Sequence, residues 1–491
     1  MAGTATIVGG DTVQLYLNPA EYQLAQDALT KLGQGFSDGD VLTNLGSPPI
    51  KGDLNIYQVP GGGLVQLPKG AQGIVLTGSD PTTLVGQNTL EVLIGNQGDD
   101  TIAGAGGSGT IIAGDGNNTI YTGQLPSEHG NKNPGDFEVD VGAGNNVIFL
   151  EGGNDTVNAL AVGNDTVYLS DKIPTADIEA SGNVTIVDQS NSHDNTALTL
   201  SGGGNFTISA SAPENLDQTG NGSLNFTGTG NDTLTLGSGN DTINDAGSAT
   251  ILGGGGNNEI TIGGGAASIG AAGNNDVTLT HSAVVTVSGG GNDTVHAAAG
   301  TEVDQLGNSN LNFVGQGNDT IFLGSGNDTI TDAGAATVYG GAANFSFTGG
   351  TGDEQVVAGT GNATVTAGSG DATLIGGSGD NLFTAGSGST KILAGGGGGH
   401  DTFIGGTGTD TMSGLGAASN VFEFDTAHAG GSHTITDFTE GRDKIDLAGY
   451  DSAAALASAT TGGGNTILTL SDGTQITLTN FTGLKASDFT S

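Results

Sequence analysis

From about residue 93 onward the apolar positions come as short β-branched or aliphatic pairs, separated by glycine and polar residues, at a step of nine. Thr233-Leu234 and Thr242-Ile243 are two such pairs. The phrase that carries them is Gly-x-Gly-Asn-Asp-Thr-aliphatic, as in Gly228-Thr229-Gly230-Asn231-Asp232-Thr233-Leu234 and again from Gly237 to Ile243. It returns from Gly315 and from Gly324, once more nine apart. Each nonapeptide reads as a turn followed by a strand of about three residues, because β-branched residues suit strands and glycine suits tight turns. The glycines, with Asn or Asp after them, are expected to supply backbone at positive φ. Two units then make one coil, and coils stack as parallel strands about 4.8 Å apart. A single coil cannot bury its aliphatic face, so only the stack is stable.

The array is expected over residues 93–415, preceded by a capping domain at 1–92 and followed by a C-terminal cap at 416–491. In the capping domain, Asn18 and Pro19 mark the start of a helix, with Tyr22, Ala25, Ala28, Leu29 and Leu32 on one face and Gly33 at its end. Short strands are expected at 55–59, 63–67 and 73–76. A polar cap is what a solenoid needs to shield its first coil. Within the array, residues 224–250 match 311–337 at 21 of 27 positions, an offset of 87. That offset indicates a copied block of several coils, 201–287 and 288–374. The fold class is therefore all-β: a parallel β-roll or β-solenoid of degenerate nonapeptide repeats, with a small α+β cap before it and a β-rich cap after it.

Composition narrows the chemistry. Glycine is 94 of 491 residues without a three-residue period, and proline is only ten, which excludes a collagen helix. Fifty-one acidic residues against nine basic ones give a net charge of −42. Nucleic acid is excluded as a partner, since phosphates require Lys and Arg, and anionic membrane surfaces are disfavoured. Acidic chains are disordered or bind cations. Here the acids stand at fixed offsets after glycine pairs, which favours cation binding. There is no cysteine, hence no disulfide framework. The first ten residues lack the basic segment of a Sec signal peptide, and no apolar stretch is long enough for a membrane span.

Calcium takes six to eight hard oxygen ligands, many of them backbone carbonyls. A glycine turn followed by Asp supplies carbonyls and a carboxylate, and stacking a second turn alongside completes the shell. The ligands expected are Asp100, Asp155, Asp165, Asp232, Asp241, Asp293, Asp319, Asp328, Asp401 and Asp410. Without a cation, neighbouring carboxylates about 6 Å apart repel by roughly 0.7 kcal/mol per pair in water. Other turns carry Asn118, Asn146, Asn258, Ala363 or Ala372 at the same position; an Asn there can hydrogen-bond its stacked neighbour with no metal.

These motifs resemble the RTX (repeats-in-toxin) family of secreted Gram-negative proteins, whose nonapeptide is Gly-Gly-x-Gly-x-Asp-aliphatic. The first glycine of that pattern is often missing in this chain. The resemblance extends to Val421-Phe422-Glu423-Phe424, Ile435-Thr436-Asp437-Phe438 and Asp443-Lys444-Ile445-Asp446-Leu447, which look like the family's C-terminal domain with its uncleaved export signal. It implies several bound calcium ions, type I secretion machinery as an export partner, and folding outside a Gram-negative cell, in the medium or on the surface. An ordinary β-rich cap with a hairpin at Asp472-Gly473 fits the same residues.

No zinc, nucleophile-elbow or Walker motif is present. The seven histidines are scattered; His193-Asp194 reads as a solvated loop, and His428 and His433 flank a glycine turn. No enzyme is expected. Two function classes remain. One is a calcium-binding structural protein of the cell surface or extracellular matrix, self-associating into a homo-oligomer, filament, layer or biofilm matrix, with cell-surface polysaccharide as a further partner. The other is a secreted carbohydrate-active enzyme or adhesin acting through a solenoid face. A pore-forming toxin would need apolar helices that the chain lacks.

Overall fold

The computed structural model describes residues 3–87, 89–127, 135–189, 196–415 and 418–490. Its chain divides into two compact units, Met1–Asn257 and Asn258–Ser491. Each is a stack of parallel coils in which the chain alternates between two sheets.

The first unit opens with an antiparallel hairpin, Gly3–Thr6 against Thr12–Leu15, and a helix α1, Pro19–Leu32. Asn18 caps α1 through hydrogen bonds from the Ala20 and Glu21 N–H groups, and the Glu21 carboxylate accepts the Asn18 N–H in return. Ala25, Ala28, Leu29 and Leu32 are buried as the periodicity predicts; Tyr22 is partly buried, and Glu21 is unexpectedly inside. The helix covers the hairpin and the strands Leu90–Ile94 and Ser108–Ile112, closing a core with Leu15, Leu17 and Ile94.

Parallel pairing begins within the segment expected to act as a cap. Gly39–Leu42 pairs Leu54–Pro60, which pairs Gly73–Thr77 and then Leu90–Ile94; these lie in the first sheet. The second sheet begins with Gly63–Gln66 and continues through Thr82–Val85 and Thr101–Ala103. Residues in register are most often eighteen apart, as Thr101 opposite Thr119 and Phe206 opposite Leu224 show. Two nonapeptides per coil is therefore correct.

The second unit continues the same plan. In its first sheet the parallel strands run from Gly265–Ala271 to Ser432–Ile435 and onto Gln475–Leu478. Gln475–Leu478 is also one arm of an antiparallel hairpin with Asn465–Thr469, turning at Asp472-Gly473, where Gly473 has φ +94°. In the second sheet Lys444–Asp446 is the last strand, with a single bridge from Ile445 to Phe489.

Most strands alternate, as in Asn164–Leu169, where every second residue is buried; Leu54–Pro60, Gly73–Thr77 and Leu90–Ile94 are instead buried on successive residues. The interior of a coil is narrow, so aliphatic residues fill it in columns, with aromatic ones at intervals. Phe383, Phe403 and Phe422 form one column in the second unit, with ring centroids 6.1 and 5.2 Å apart. This is how a chain with only 5% aromatics builds a continuous core. Among the described residues no helix is long and apolar enough to cross a membrane.

Positive φ, the expected reason for the glycines, holds at some turns, such as Gly114 and Gly116 at +82° and +115° and Gly317 at +118°. At others neither glycine of the pair has positive φ; Gly359, Gly361, Gly377 and Gly379 are examples. What they provide is proximity. A Cβ on Gly377 would lie 1.6 Å from the Gly359 carbonyl oxygen one coil back, and one on Gly379 would lie 2.2 Å from that of Gly361. Sheet spacing brings successive turns so close that only hydrogen fits between them.

Candidate metal centres at the solenoid corners

Each coil turns at two corners. At the first corner the chain passes from the first sheet to the second, and at the second corner it returns. Asp100, Asp165, Asp241, Asp293, Asp328 and Asp401 follow the first corner; Asp155, Asp232, Asp319 and Asp410 follow the second. All ten point inward and are at most 3% exposed.

Their placement follows from the alternation. In Asn-Asp-Thr-aliphatic the aliphatic residue faces the core, so the Asp two positions earlier faces it as well. The preceding Asn faces solvent and builds an outer ladder: Asn274 Oδ1 accepts the Asn292 N–H at 3.0 Å, and Asn310 Oδ1 accepts the Asn327 N–H at 2.9 Å.

The inward carboxylates share one contact. Asp100 Oδ1 accepts the N–H of Thr82, one coil earlier, at 2.8 Å. Asp155 does the same to Phe137, Asp232 to Glu214 and Asp328 to Leu311, all at 2.8 Å. Asn serves equally: Asn118 Oδ1 accepts the Asp100 N–H at 2.9 Å, and Asn146 Oδ1 accepts the Asn118 N–H at 3.0 Å. One side-chain oxygen is thus structural at these corners, which explains why Asp and Asn interchange along the array.

The second oxygen distinguishes them. Oδ2 of Asp232, Asp293 and Asp328, and Oδ1 of Asp410, are buried with no hydrogen-bond partner. Such oxygens demand a proton or a cation. In contrast, Asp155 Oδ2 accepts the Thr122 hydroxyl at 3.1 Å, and Asp100 Oδ2 accepts the Asn96 N–H at 3.0 Å. Among the described residues no three His, Cys, Asp or Glu side chains gather as a metal-binding group. Calcium at these corners must therefore draw most of its shell from main-chain carbonyls, as its chemistry permits. The residues present fit such an ion: an orphaned carboxylate oxygen beside turns that expose their backbone.

Burial shifts these acids upward. It pushes Asp155 up to about 7 and Asp100 up to about 6, and raises Asp165, Asp241, Asp293, Asp328 and Asp401 in the same direction. Desolvation is the first cause in each case, ahead of any neighbouring charge. Repulsion between stacked aspartates, the expected reason for requiring a cation, is secondary to the cost of holding a carboxylate out of water.

The repeat pattern alone missed several inward acids. Glu91, Glu214 and Glu354 stand at the second corner with an unpartnered oxygen each, as do Asp245 and Asp332 just before that corner. Glu91 aside, only strand alternation could have placed them. His433, expected to flank a glycine turn, is buried, and its Nδ1 lies 2.8 Å from Asp410 Oδ2. It occupies the Asp position of the coil after Asp410, and the stack of second corners meets an imidazole there. His428 pairs with Asp425 at 2.8 Å in a more open setting. The His193-Asp194 pair lies outside the described residues.

Comparison with known families agrees with this geometry. The family model for the RTX calcium-binding nonapeptide repeat (4 copies) matches residues 94–124, 139–167, 226–244, 313–330, 330–365, 348–383, 366–389 and 395–418. No curated protein matches the chain. Between the first and last matches, the longest stretches left unmatched are 168–225 and 245–312, which include coils with Val184, Phe206 or Asn275 in the ligand position. The chain carries RTX calcium-binding nonapeptide repeats on a parallel β-solenoid, and these repeats indicate that it binds several calcium ions.

Proposed function

We propose that this is a secreted, non-enzymatic structural protein of the Gram-negative cell surface or extracellular matrix, which folds on calcium outside the cell and self-associates. RTX repeats are characteristic of secreted Gram-negative proteins. The observation that carries the reading is the row of buried carboxylates with an unpartnered oxygen, which leaves the chain dependent on a cation met only after export. The ten aspartates named above are assigned as the carboxylate ligands. Residues 1–92 act as the N-terminal cap, 93–415 as the calcium-binding array, and 416–491 as the C-terminal cap carrying the type I export signal.

Self-association is supported at one edge. Among the described residues Gly63–Gln66, the first strand of the second sheet, pairs only with Thr82–Val85, and its Leu64 is 72% exposed. An open edge with an exposed apolar residue is a template for a strand of another copy. A second reading, glycan contact through a solenoid face, is favoured by the stacked rings of Tyr121, Phe149 and Tyr168, 4.7 and 4.8 Å apart. Phe149 and Tyr168 also line a shallow cavity of about 330 Å³ with Glu151 and Lys172.

Negative-stain imaging with calcium and after chelation tests the proposal. Regular assemblies that dissolve with EDTA are expected. Monodisperse particles in calcium, retained on a glycan array, would transfer the function to the second reading.

A further inference from the structure

Asp245 in the first unit and Asp332 in the second stand outside the ligand position of the nonapeptide. Each ends a strand of the second sheet, Thr242–Asp245 and Asn327–Asp332, where the repeat pattern would next call for glycine. The 87-residue duplication relates the two, as it relates Asp232 to Asp319 and Gly228 to Gly315. Asp245 is opposite Gly228, and Asp332 is opposite Gly315.

The glycine leaves a space that two acids enter. A Cβ on Gly315 would stand 2.4 Å from Asp319 Oδ2 and 3.0 Å from Asp332 Oδ2. Carboxylate oxygens from consecutive coils therefore converge on one point. In the first unit a Cβ on Gly228 would stand 2.2 Å from Asp232 Oδ2. Asp245 and Asp332 are 0% and 1% exposed. One oxygen of each is held by a local N–H, that of Gly247 at 2.7 Å and of Gly334 at 2.9 Å. The other oxygen, Oδ2, meets no N–H or O–H donor in either residue, and its neighbour is the aspartate of the preceding coil. Burial, with the neighbouring carboxylate adding to it, pushes Asp232 up to about 7 and Asp332 up to about 6. Glu214 and Glu354 are buried at the same corners, but no three acids come together among the described residues, so the unit of the site is the pair.

Two carboxylates facing each other in a dry corner require something positive between them. We propose that Asp232 with Asp245, and Asp319 with Asp332, each form a dicarboxylate calcium site, one per unit, that holds its ion more tightly than the single-carboxylate turns. The inference rests on the calcium reading of the repeats and adds a ligand that the repeat does not supply. Calcium affinity rises with the number of charged ligands, which sets these two corners apart from the rest.

The test counts ions on the full chain. Protein folded in calcium is dialysed against a weak chelator, and the calcium retained is measured by elemental analysis. Asp245→Asn and Asp332→Asn are each expected to retain one ion fewer than the parent, and the double variant two fewer. Asp177→Asn, an exposed acid on the outward face of the strand Thr175–Ala180, should leave the retained count unchanged. Should an Asn variant misfold, Asp332→Gly restores the residue of the repeat pattern and serves in its place. Equal retention by parent and double variant would overturn the proposal, including the case where the paired acids merely share a proton. If the double variant still shows a calcium-dependent rise in β-type circular dichroism, the repeat turns keep their assignment. A parent that binds no calcium at any concentration would sink both.

Discussion

At a corner such as Asp328, one carboxylate oxygen holds the Leu311 N–H and also accepts Gln305 Nε2 at 3.2 Å, while the other is left for a cation. The two roles separate by substitution. Asp328→Asn keeps the acceptor, so urea unfolding at saturating calcium should be nearly unchanged while the calcium midpoint of folding rises. Asp328→Ala strands the Leu311 N–H in the core and should cost about 1–3 kcal/mol in the same unfolding experiment. Glu91 is the clearest pH probe, because it is fully buried, none of the aspartate ligands assigned above, and pushed up to about 9 by desolvation. The folded state binds its proton more tightly than the unfolded chain does. Its contribution to stability is therefore full below the usual glutamate range and is lost as pH rises through about 9. In EDTA, thermal midpoints of any residual fold should fall between pH 5 and pH 9, and Glu91→Gln should flatten that slope. None of this was legible from the nonapeptide, since Glu91 belongs to no repeat match and lies in a strand, Leu90–Ile94, that is buried on every residue from Glu91 onward.

The turn and the strand that follows it are set by different forces, and the sequence revealed them unequally. Strand positions were readable, because Thr-Ile or Thr-Leu after a glycine pair leaves only one way to alternate. The turns were readable as turns, but at some of them for a reason the coils overrule: Gly359 and Gly377 are needed for stacking distance, and their φ values are ordinary. Gly377→Ala is accordingly expected to destabilise by about 1–3 kcal/mol or more through overpacking, lowering the thermal midpoint in calcium. Gly396→Ala, where nothing lies within 4 Å of the added carbon, should leave that midpoint unmoved. The capping helix shows the reverse balance: Asn18, Pro19 and its apolar face were all legible, whereas the burial of Glu21 was not, because it depends on what packs over the helix start.

For the molecule as a whole, charge and burial act together. With a net charge of −42 and inward carboxylates that cannot ionise cheaply, the chain without calcium should be expanded. Small-angle scattering in EDTA is expected to give a radius of gyration near ~80 Å, the scaling for an unfolded chain of this length, and a smaller value once calcium is added. An EDTA value already equal to the calcium one would show that the hydrogen-bond ladders alone hold the coils. By itself the sequence determined the two-nonapeptide coil, the parallel strands, the calcium chemistry and the duplicated block, because all of these are written in local spacing. Tertiary structure decided which oxygen of each aspartate is structural and which is free for metal, that Asp245 and Asp332 meet the aspartates of the preceding coil, and that His433 takes the place of an acid beside Asp410. Those outcomes depend on residues eighteen or so apart being brought within hydrogen-bonding distance, and nine-residue spacing carries no record of which side-chain oxygen will be left without a partner.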